Sequence, residues 1–452
     1  MKFQISNEII VEEPTKEVWD LYTRKLTMSN PAYLSAERAG RWTRNIPKNI
    51  LLYKRDVDKL YLPYGLIDEL KETIINSGYS VDLASTKPIT LKGDVGLWGY
   101  QEEAVNKLVA ARNGVLISPA GSGKTQIALG LIQRLGRRAL WLTHTKDLVM
   151  QSMARAKKFF PEGDFGVIMD GRYELGRDIT FATVQSLHNR DLAELKNAFN
   201  VVITDECHRI CAKAEYIAMF YKILSALAAR YKYGITATFH RSDGLEKVIT
   251  YVLGDIAHMV EKSQTQTLTA RLEAISTSIE ESFDYLASDG TLDYSKLLKY
   301  LTTNETRNKL IADIFNSNLA HSGLILSDRL EHLSKLMALC DEPEACCMLS
   351  GKSSMKERDA AFEDMRTGAK KLLFATYSLA KEGLDIPRLS HLYLALPKKD
   401  YAVVTQSIGR IARPFEGKAE PTIYDFVDEN IGYCLSTYKV RKSYYKKEGI
   451  LC

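Results

Sequence analysis

The sequence predicts an α/β protein: two successive parallel-sheet units behind a small α+β segment. Three observations predict it. From residue 91 short apolar runs of strand length alternate with runs of helical period. That rhythm breaks over residues 259–305 and then starts again. The apolar runs are continuous rather than alternating, as strands covered by helices on both faces require.

Residues 1–90 form the leading segment. Gly40-Arg-Trp42 and Leu62-Pro-Tyr-Gly65 punctuate it, and Leu66, Leu70 and Ile74 share a helical face, predicting a helix over 65–77. Lys48, Tyr53, Lys54 and Arg55 interleave aromatic and basic groups. They suit either a nucleic-acid-touching surface or the solvated edge of a small domain.

The first unit is expected over residues 91–258. Val115-Leu116-Ile117 is a strand, and Thr125 to Leu135 a helix with Ile127, Leu131 and Leu135 on one face. Strands follow at 139–142, 179–182, 201–203 and 233–235, with a helix at 146–158. Over 259–305, residues 267–277 alternate like a strand and 294–301 like a helix. The second unit is expected within 264–452. Its strands are 323–326, 347–349, 371–375, 391–395 and 422–425, its helices 329–339 and 355–366, and a basic, tyrosine-rich helix over 430–448 closes it.

Two runs carry chemistry. Residues 118–125 read Ser-Pro-Ala-Gly-Ser-Gly-Lys-Thr, between a strand and a helix. Gly121, Ser122 and Gly123 let backbone N–H groups turn inward around phosphates, Lys124 reaches the β- and γ-phosphates, and the Thr125 hydroxyl suits Mg²⁺. Residues 205–208 read Asp-Glu-Cys-His at the end of a strand. Asp205 is expected in the Mg²⁺ shell, and Glu206 as the group that orients and deprotonates the attacking water. Ligands of such sheets sit at the carboxyl ends of the strands, where both runs fall. ATP with Mg²⁺ is the predicted cofactor. The second unit has no phosphate loop but carries Gln406-Ser-Ile-Gly-Arg410-Ile-Ala-Arg413. Arginines three apart share a helix face. They suit either a surface helix or a finger on the γ-phosphate, a device that contributes roughly 10³–10⁵ in rate.

Composition narrows the class. Of 452 residues, 45% are hydrophobic and 26% charged, which excludes wholesale disorder. No run of eighteen apolar residues predicts a membrane span, and the opening Met-Lys-Phe-Gln-Ile-Ser-Asn-Glu is too polar for a signal peptide. Seven cysteines with no Cys-x-x-Cys pair suggest reduced thiols and a cytoplasmic setting. A net charge of +5 permits nucleic-acid binding without demanding it.

Taken together and in order, Tyr100-Gln101, residues 118–125, 143–148, Thr183-Val-Gln185-Ser-Leu187, residues 205–208, Thr236-Ala-Thr238, Gly383-Leu-Asp385-Ile-Pro387 and residues 406–413 resemble the motifs of superfamily 2 helicases over residues 95–428. The resemblance implies two tandem RecA-like domains. It implies that Tyr100 and Gln101 read the adenine, that His208, Thr236, Thr238 and Gln406 couple hydrolysis to the nucleic-acid groove, and that Gly383 and Asp385 contact the nucleotide. It makes Arg410 and Arg413 the γ-phosphate arginines, with Arg413 the finger. It places Thr145, Lys146, Thr183, Gln185, Ser327, Arg329 and Thr376 on the nucleic-acid backbone. Ser118 stands where the generic loop begins with glycine.

Leu97-Trp-Gly-Tyr-Gln-Glu-Glu-Ala104, residues 234–244 and Asn304-Glu-Thr-Arg-Asn308 are most similar to the phage UvsW-type branch-migration group, related to XPB-like and RecG-like motors. This implies a monomeric motor in the host cytoplasm. It would work on forked or four-way DNA in phage replication, recombination or repair, beside proteins of those processes. RNA helicase or RNA remodeller, and the motor subunit of a restriction system, are the alternatives. Arg441, Lys442, Tyr444, Tyr445, Lys446 and Lys447 of the last helix suit either DNA contact or packing through the tyrosines.

Overall fold

The computed structural model describes residues 1–211, 214–239, 245–381, 384 and 386–450. The chain divides into two compact units, one of Met1–Pro119 and Gly123–Thr265, the other of Ala120–Ser122 and Gln266–Cys452.

The first unit holds two large sheets and a two-stranded ribbon that pairs Thr27–Ser29 with Asn49–Leu51. The leading segment forms a five-stranded sheet in the order Lys54–Arg55, Lys59–Leu62, Ile9–Glu12, Lys2–Ile5, Tyr79–Val81. Its first helix, Lys16–Lys25, starts where Thr15 accepts the Val18 N–H, and its second, Pro31–Arg38, is capped by Asn30. The expected helix over 65–77 is divided. A 3₁₀ turn, Tyr64–Leu66, precedes the α-helix Lys71–Ser77, and Leu66, Leu70 and Ile74 are all buried. The turn lies flat on another backbone: a Cβ on Gly65 would sit 2.5 Å from Thr250 O and from Gly254 N.

The motor sheet has eight strands in the order Arg172–Glu174, Phe165–Met169, Ile179–Thr183, Ala139–Thr143, Val201–Asp205, Tyr231–Thr236, Asn113–Ile117, Ile256–Met259. Neighbours run parallel except at the Arg172–Glu174 edge. The central strands are wholly buried, which is why they read as unbroken apolar runs.

The leading segment shares a core with this unit: Phe3, Leu60 and Leu66 cluster with Phe220, Ile249 and Leu253. A buried lysine reinforces the join. Lys232 Nζ donates to Asn7 O (3.1 Å) and Leu224 O (2.8 Å) and lies 4.6 Å from the centre of the Tyr64 ring. Burial lowers its pKa to about 7. Lys54 of the basic cluster pairs with buried Glu8 (3.1 Å), which also accepts the Tyr221 hydroxyl (3.1 Å). Part of that cluster's charge therefore serves packing.

The second unit is a six-stranded, all-parallel sheet in the order Arg271–Ser276, Thr422–Val427, His391–Leu394, Gly323–Ser327, Leu372–Thr376, Cys346–Leu349. The helix Glu305–Asn316, which periodicity did not single out, is capped by Asn304 and buries Ile311, Ala312 and Phe315. The closing helix is Gly432–Lys447. Arg441 is buried and bidentate on Asp425 (2.7 and 2.8 Å), and buried Tyr445 donates to the same carboxylate (2.6 Å). Lys442, Lys446 and Lys447 remain exposed.

Because the atoms above Gly65 are backbone and cannot swing aside, Gly65→Ala is expected to cost about 3 kcal/mol. Urea unfolding of the variant beside the parent chain checks this.

Candidate active site

The strand Asn113–Ile117 delivers the phosphate loop and the helix Lys124–Leu135 leaves it. Gly121 (φ +87°) and Gly123 (φ +77°) hold the left-handed backbone that side chains resist. A Cβ on Gly123 would fall 2.4 Å from Gln101 Nε2, so a side chain there would displace the glutamine amide. Gln101 is buried, its Oε1 accepts the Trp98 N–H (3.0 Å), and its Nε2 lies 3.4 Å from the Tyr100 hydroxyl. Tyr100 stacks edge-on with Trp98. Ser118 donates its N–H to Thr236 O (2.9 Å), tying the loop to a neighbouring strand. Lys124 opens the helix, and its Nζ lies 3.4 Å from Pro119 O, back across the loop.

Two strands across the sheet, Val201–Asp205 ends in two adjacent carboxylates. Asp205 is buried and accepts the N–H of Glu206 (2.9 Å). Glu206 has φ +51°, a left-handed backbone rare for a side-chain-bearing residue. Burial and the Glu206 charge push Asp205 up to about 7. Burial acts upward on Glu206 too, but the hydrogen bond from His208 and the charge of Lys124 prevail and hold it below the usual carboxylate range.

This donor set fits Mg²⁺. A buried carboxylate that binds a proton so readily is short of positive charge, and Asp205 with the Thr125 hydroxyl offers hard oxygen ligands.

Beyond Glu206 the polar contacts continue. Glu206 Oε2 lies 3.2 Å from His208 Nδ1, which lies 3.0 Å from Thr236 Oγ1. Thr236 donates its hydroxyl proton to Thr238 O (2.7 Å) and accepts the Thr238 N–H (3.1 Å). Since that proton is committed, Nδ1 carries the hydrogen on the imidazole side. A continuous chain of contacts thus runs from the carboxylate expected to orient water to the loop after Tyr231–Thr236.

Thr145 lies just beyond the strand Ala139–Thr143 and Thr183 ends the neighbouring strand, both at the same end of the sheet. Thr145 caps Lys146–Phe159 and Thr183 caps Val184–His188, each accepting a backbone N–H at 3.3 Å. Lys146 pairs with Asp170, and Gln185 is partly exposed on its short helix.

In the second unit Ser327 is buried; its Oγ accepts the Arg329 N–H (3.1 Å) and meets His332 Nδ1 (3.1 Å). His332, lowered to about 3 chiefly by burial, is neutral and donates through Nε2 to Asn308 Oδ1 (2.9 Å). Arg329 is exposed, and Thr376 Oγ1 lies 3.0 Å from Ser378 Oγ. Gln406 and Arg410 lie on the helix Tyr401–Ile411, with Arg413 just past it. Arg410 donates to Ala380 O and Leu384 O, both at 3.0 Å, gripping the segment that carries Gly383 and Asp385; those two lie outside the described residues. Lys418 donates to Arg413 O (2.7 Å).

Sequence reading missed Trp141, whose indole N–H helps hold down the pKa of Asp205, because it looks like one more apolar strand residue. It also missed Arg307, fully buried and paired with Asp428 (2.7 Å) 121 positions away. A charge inside the capped, half-apolar run 304–316 was the available signal.

Residues 94–241 match the family described as Type III restriction enzyme, res subunit, and residues 305–414 the Helicase conserved C-terminal domain. A protein of Acanthamoeba polyphaga mimivirus, provisionally named an ATP-dependent RNA helicase, is 28% identical over 74% of this chain, which spans 64% of that relative's length. The ATP-dependent DNA helicase uvsW of Enterobacteria phage T4 is 24% identical, covering 86% of this chain and 82% of its own. In fold, the chain is similar to S. cerevisiae Dbp5 bound to RNA and ADP BeF3, with a TM-score of 0.57 and 16% identity over 86% of this chain and 93% of that one.

The raised pKa of Asp205 fixes a sign. Without nucleotide, its protonated form adds stability that is fully present below about pH 4 and is lost as pH rises through about 7. Asp205→Asn is therefore expected to melt higher than the parent at pH 8, by at most about 4 kcal/mol, with the gap closing toward pH 4. Thermal melts across that range check it.

Proposed function

We propose that this chain, which belongs to the superfamily 2 helicases, hydrolyses ATP to move along and remodel branched DNA. The observation that carries the reading is the contact chain Glu206–His208–Thr236–Thr238. It gives the hydrolytic carboxylate a physical route to the loops at the end of the motor sheet, where a nucleic acid is gripped.

In this reading Lys124 and the N–H groups of the phosphate loop hold the ATP phosphates, while Gln101 and Tyr100 meet the base. Mg²⁺, when bound, supplies charge neutralisation at the β- and γ-phosphates and is held by Thr125 and Asp205. Glu206 stays ionised, as its lowered pKa favours, and orients the water by accepting its proton. Arg410 and Arg413 supply positive charge to the transferring phosphoryl group, and Gly383 and Asp385 contact the nucleotide. His208 and Gln406 pass its state onward.

The grip on nucleic acid is assigned to the ends of the capped helices. Thr145 and Thr183 spend their hydroxyls on caps, so the remaining N–H groups of those first turns face phosphate, with Lys146, Gln185, Ser327, Arg329 and Thr376 beside them. Such contacts read no bases, as stepping along any sequence requires. Among the described residues no helix is long and apolar enough to cross a membrane.

DNA is favoured over RNA by the phage T4 relative's name and by Asp-Glu-Cys-His, Thr-Ala-Thr and Gln-Ser-Ile-Gly-Arg in place of the DEAD-box forms. The mimivirus relative's name supports the RNA reading. ATPase assays with single strand, duplex, fork, four-way junction and RNA decide: strongest stimulation by forked or four-way DNA is expected, and stimulation by RNA alone would reverse the assignment. Lys124→Ala is expected to lower ATPase at least about 10²-fold, abolish strand separation and retain DNA binding. Strand separation by that variant would end the motor reading.

A further inference from the structure

The loop over residues 395–399 of the second unit lies between two working parts. It follows the strand His391–Leu394 and runs straight into the helix that carries Gln406 and Arg410, whose first turn Asp400 caps through the Val403 N–H (2.9 Å). Four of its carbonyls are held by side chains from three separate elements. Arg307 Nη1 donates to Ala395 O (2.8 Å), the Tyr377 hydroxyl to Leu396 O (2.8 Å), Arg441 Nη1 to Lys398 O (3.2 Å), and the Tyr444 hydroxyl to Lys399 O (2.8 Å). Both arginines are anchored in turn by buried carboxylates, Asp428 and Asp425. A loop so tightly bound moves as one piece with what it touches.

What it touches is the 327–329 turn. The Ala395 N–H donates to Leu326 O (3.0 Å), and Lys398 Nζ reaches both oxygens of Asp328 (2.9 and 3.2 Å). The Lys398 and Asp328 side chains are 25% and 30% exposed, so solvent screens this pair less than a surface bridge. Lys398 also lies 5.3 Å from the centre of the buried Tyr377 ring. Asp328 itself sits between Ser327 and Arg329, the two residues assigned above to the nucleic-acid backbone.

We propose that the 395–399 loop is a rigid joint that carries nucleic-acid engagement at the 327–329 turn to the arginine helix, with Lys398 as its positioning residue. The proposal rests on the helicase reading above. A phosphate drawn to Arg329 shifts the turn, Asp328 draws Lys398 with it, and the carbonyl clamps prevent the loop from absorbing the shift. The helix then transmits it over nine residues, about 14 Å, to Arg410. The coupling is a difference between the two states of this turn, not a contact with either ligand.

The test is steady-state ATPase of the full chain with and without saturating single-stranded DNA, alongside DNA affinity by fluorescence anisotropy. Lys398→Met is expected to keep the basal rate and the affinity and to lose about fivefold or more of the DNA-stimulated rate. The unchanged basal rate also reports correct folding. Asp328→Lys alone is expected to lose stimulation likewise, and the reversed pair Asp328→Lys with Lys398→Asp to recover most of it. Parent-like stimulation of Lys398→Met overturns the joint and leaves the helicase reading intact. A loss of stimulation matched by an equal loss of affinity also overturns it, making Lys398 a binding residue. A parent chain that DNA does not stimulate overturns both.

Discussion

Two carboxylates stand side by side at the end of a strand that has no other charge. Val201–Asp205 is uncharged until its last residue and buried throughout, so Asp205 and Glu206 cannot both ionise there without help. Much of the first unit supplies that help. The phosphate loop brings the Lys124 ammonium within electrostatic reach of both, and His208 braces Glu206. The left-handed turn at Glu206 folds its own N–H back onto Asp205. A divalent ion held by Asp205 would add one compact positive charge to this set.

Much of this was legible in the sequence, for a local reason. A phosphate loop, a strand that ends in two acids and the apolar strands around them are written in consecutive residues. The strands not foreseen fail that condition. Phe165–Met169 contains Gly166, and Ile256–Met259 is a partly exposed edge carrying His258. The divided helix at 64–77 was hidden because the flat turn at Gly65 answers to backbone some 190 positions away. The buried arginines were least visible of all. Arg441 reads as one basic residue among many until Asp425 is folded beneath it, and Arg307 depends on Asp428 in the same way.

The two units solve one problem differently. At the end of the motor sheet in the first unit, helix N-termini are capped by their own preceding threonines, Thr145 and Thr183. The second satisfies backbone carbonyls with guanidinium and phenol groups, most of them buried, which fix a loop instead of opening it. Arg410 follows the same habit, since its fork holds two carbonyls of the 380–384 segment.

The burial of Arg441 bears on how this chain can be shortened. Trypsin cuts after exposed arginines, and this one offers its side chain to Asp425 and to the Lys398 carbonyl rather than to a protease. Limited digestion would trim the helix at its outward lysines first. A chain ended ahead of residue 441 would leave Asp425 charged, dry and without its counter-ion, a penalty felt along the strand Thr422–Val427. The last helix is therefore a plug in the second unit rather than a tail upon it.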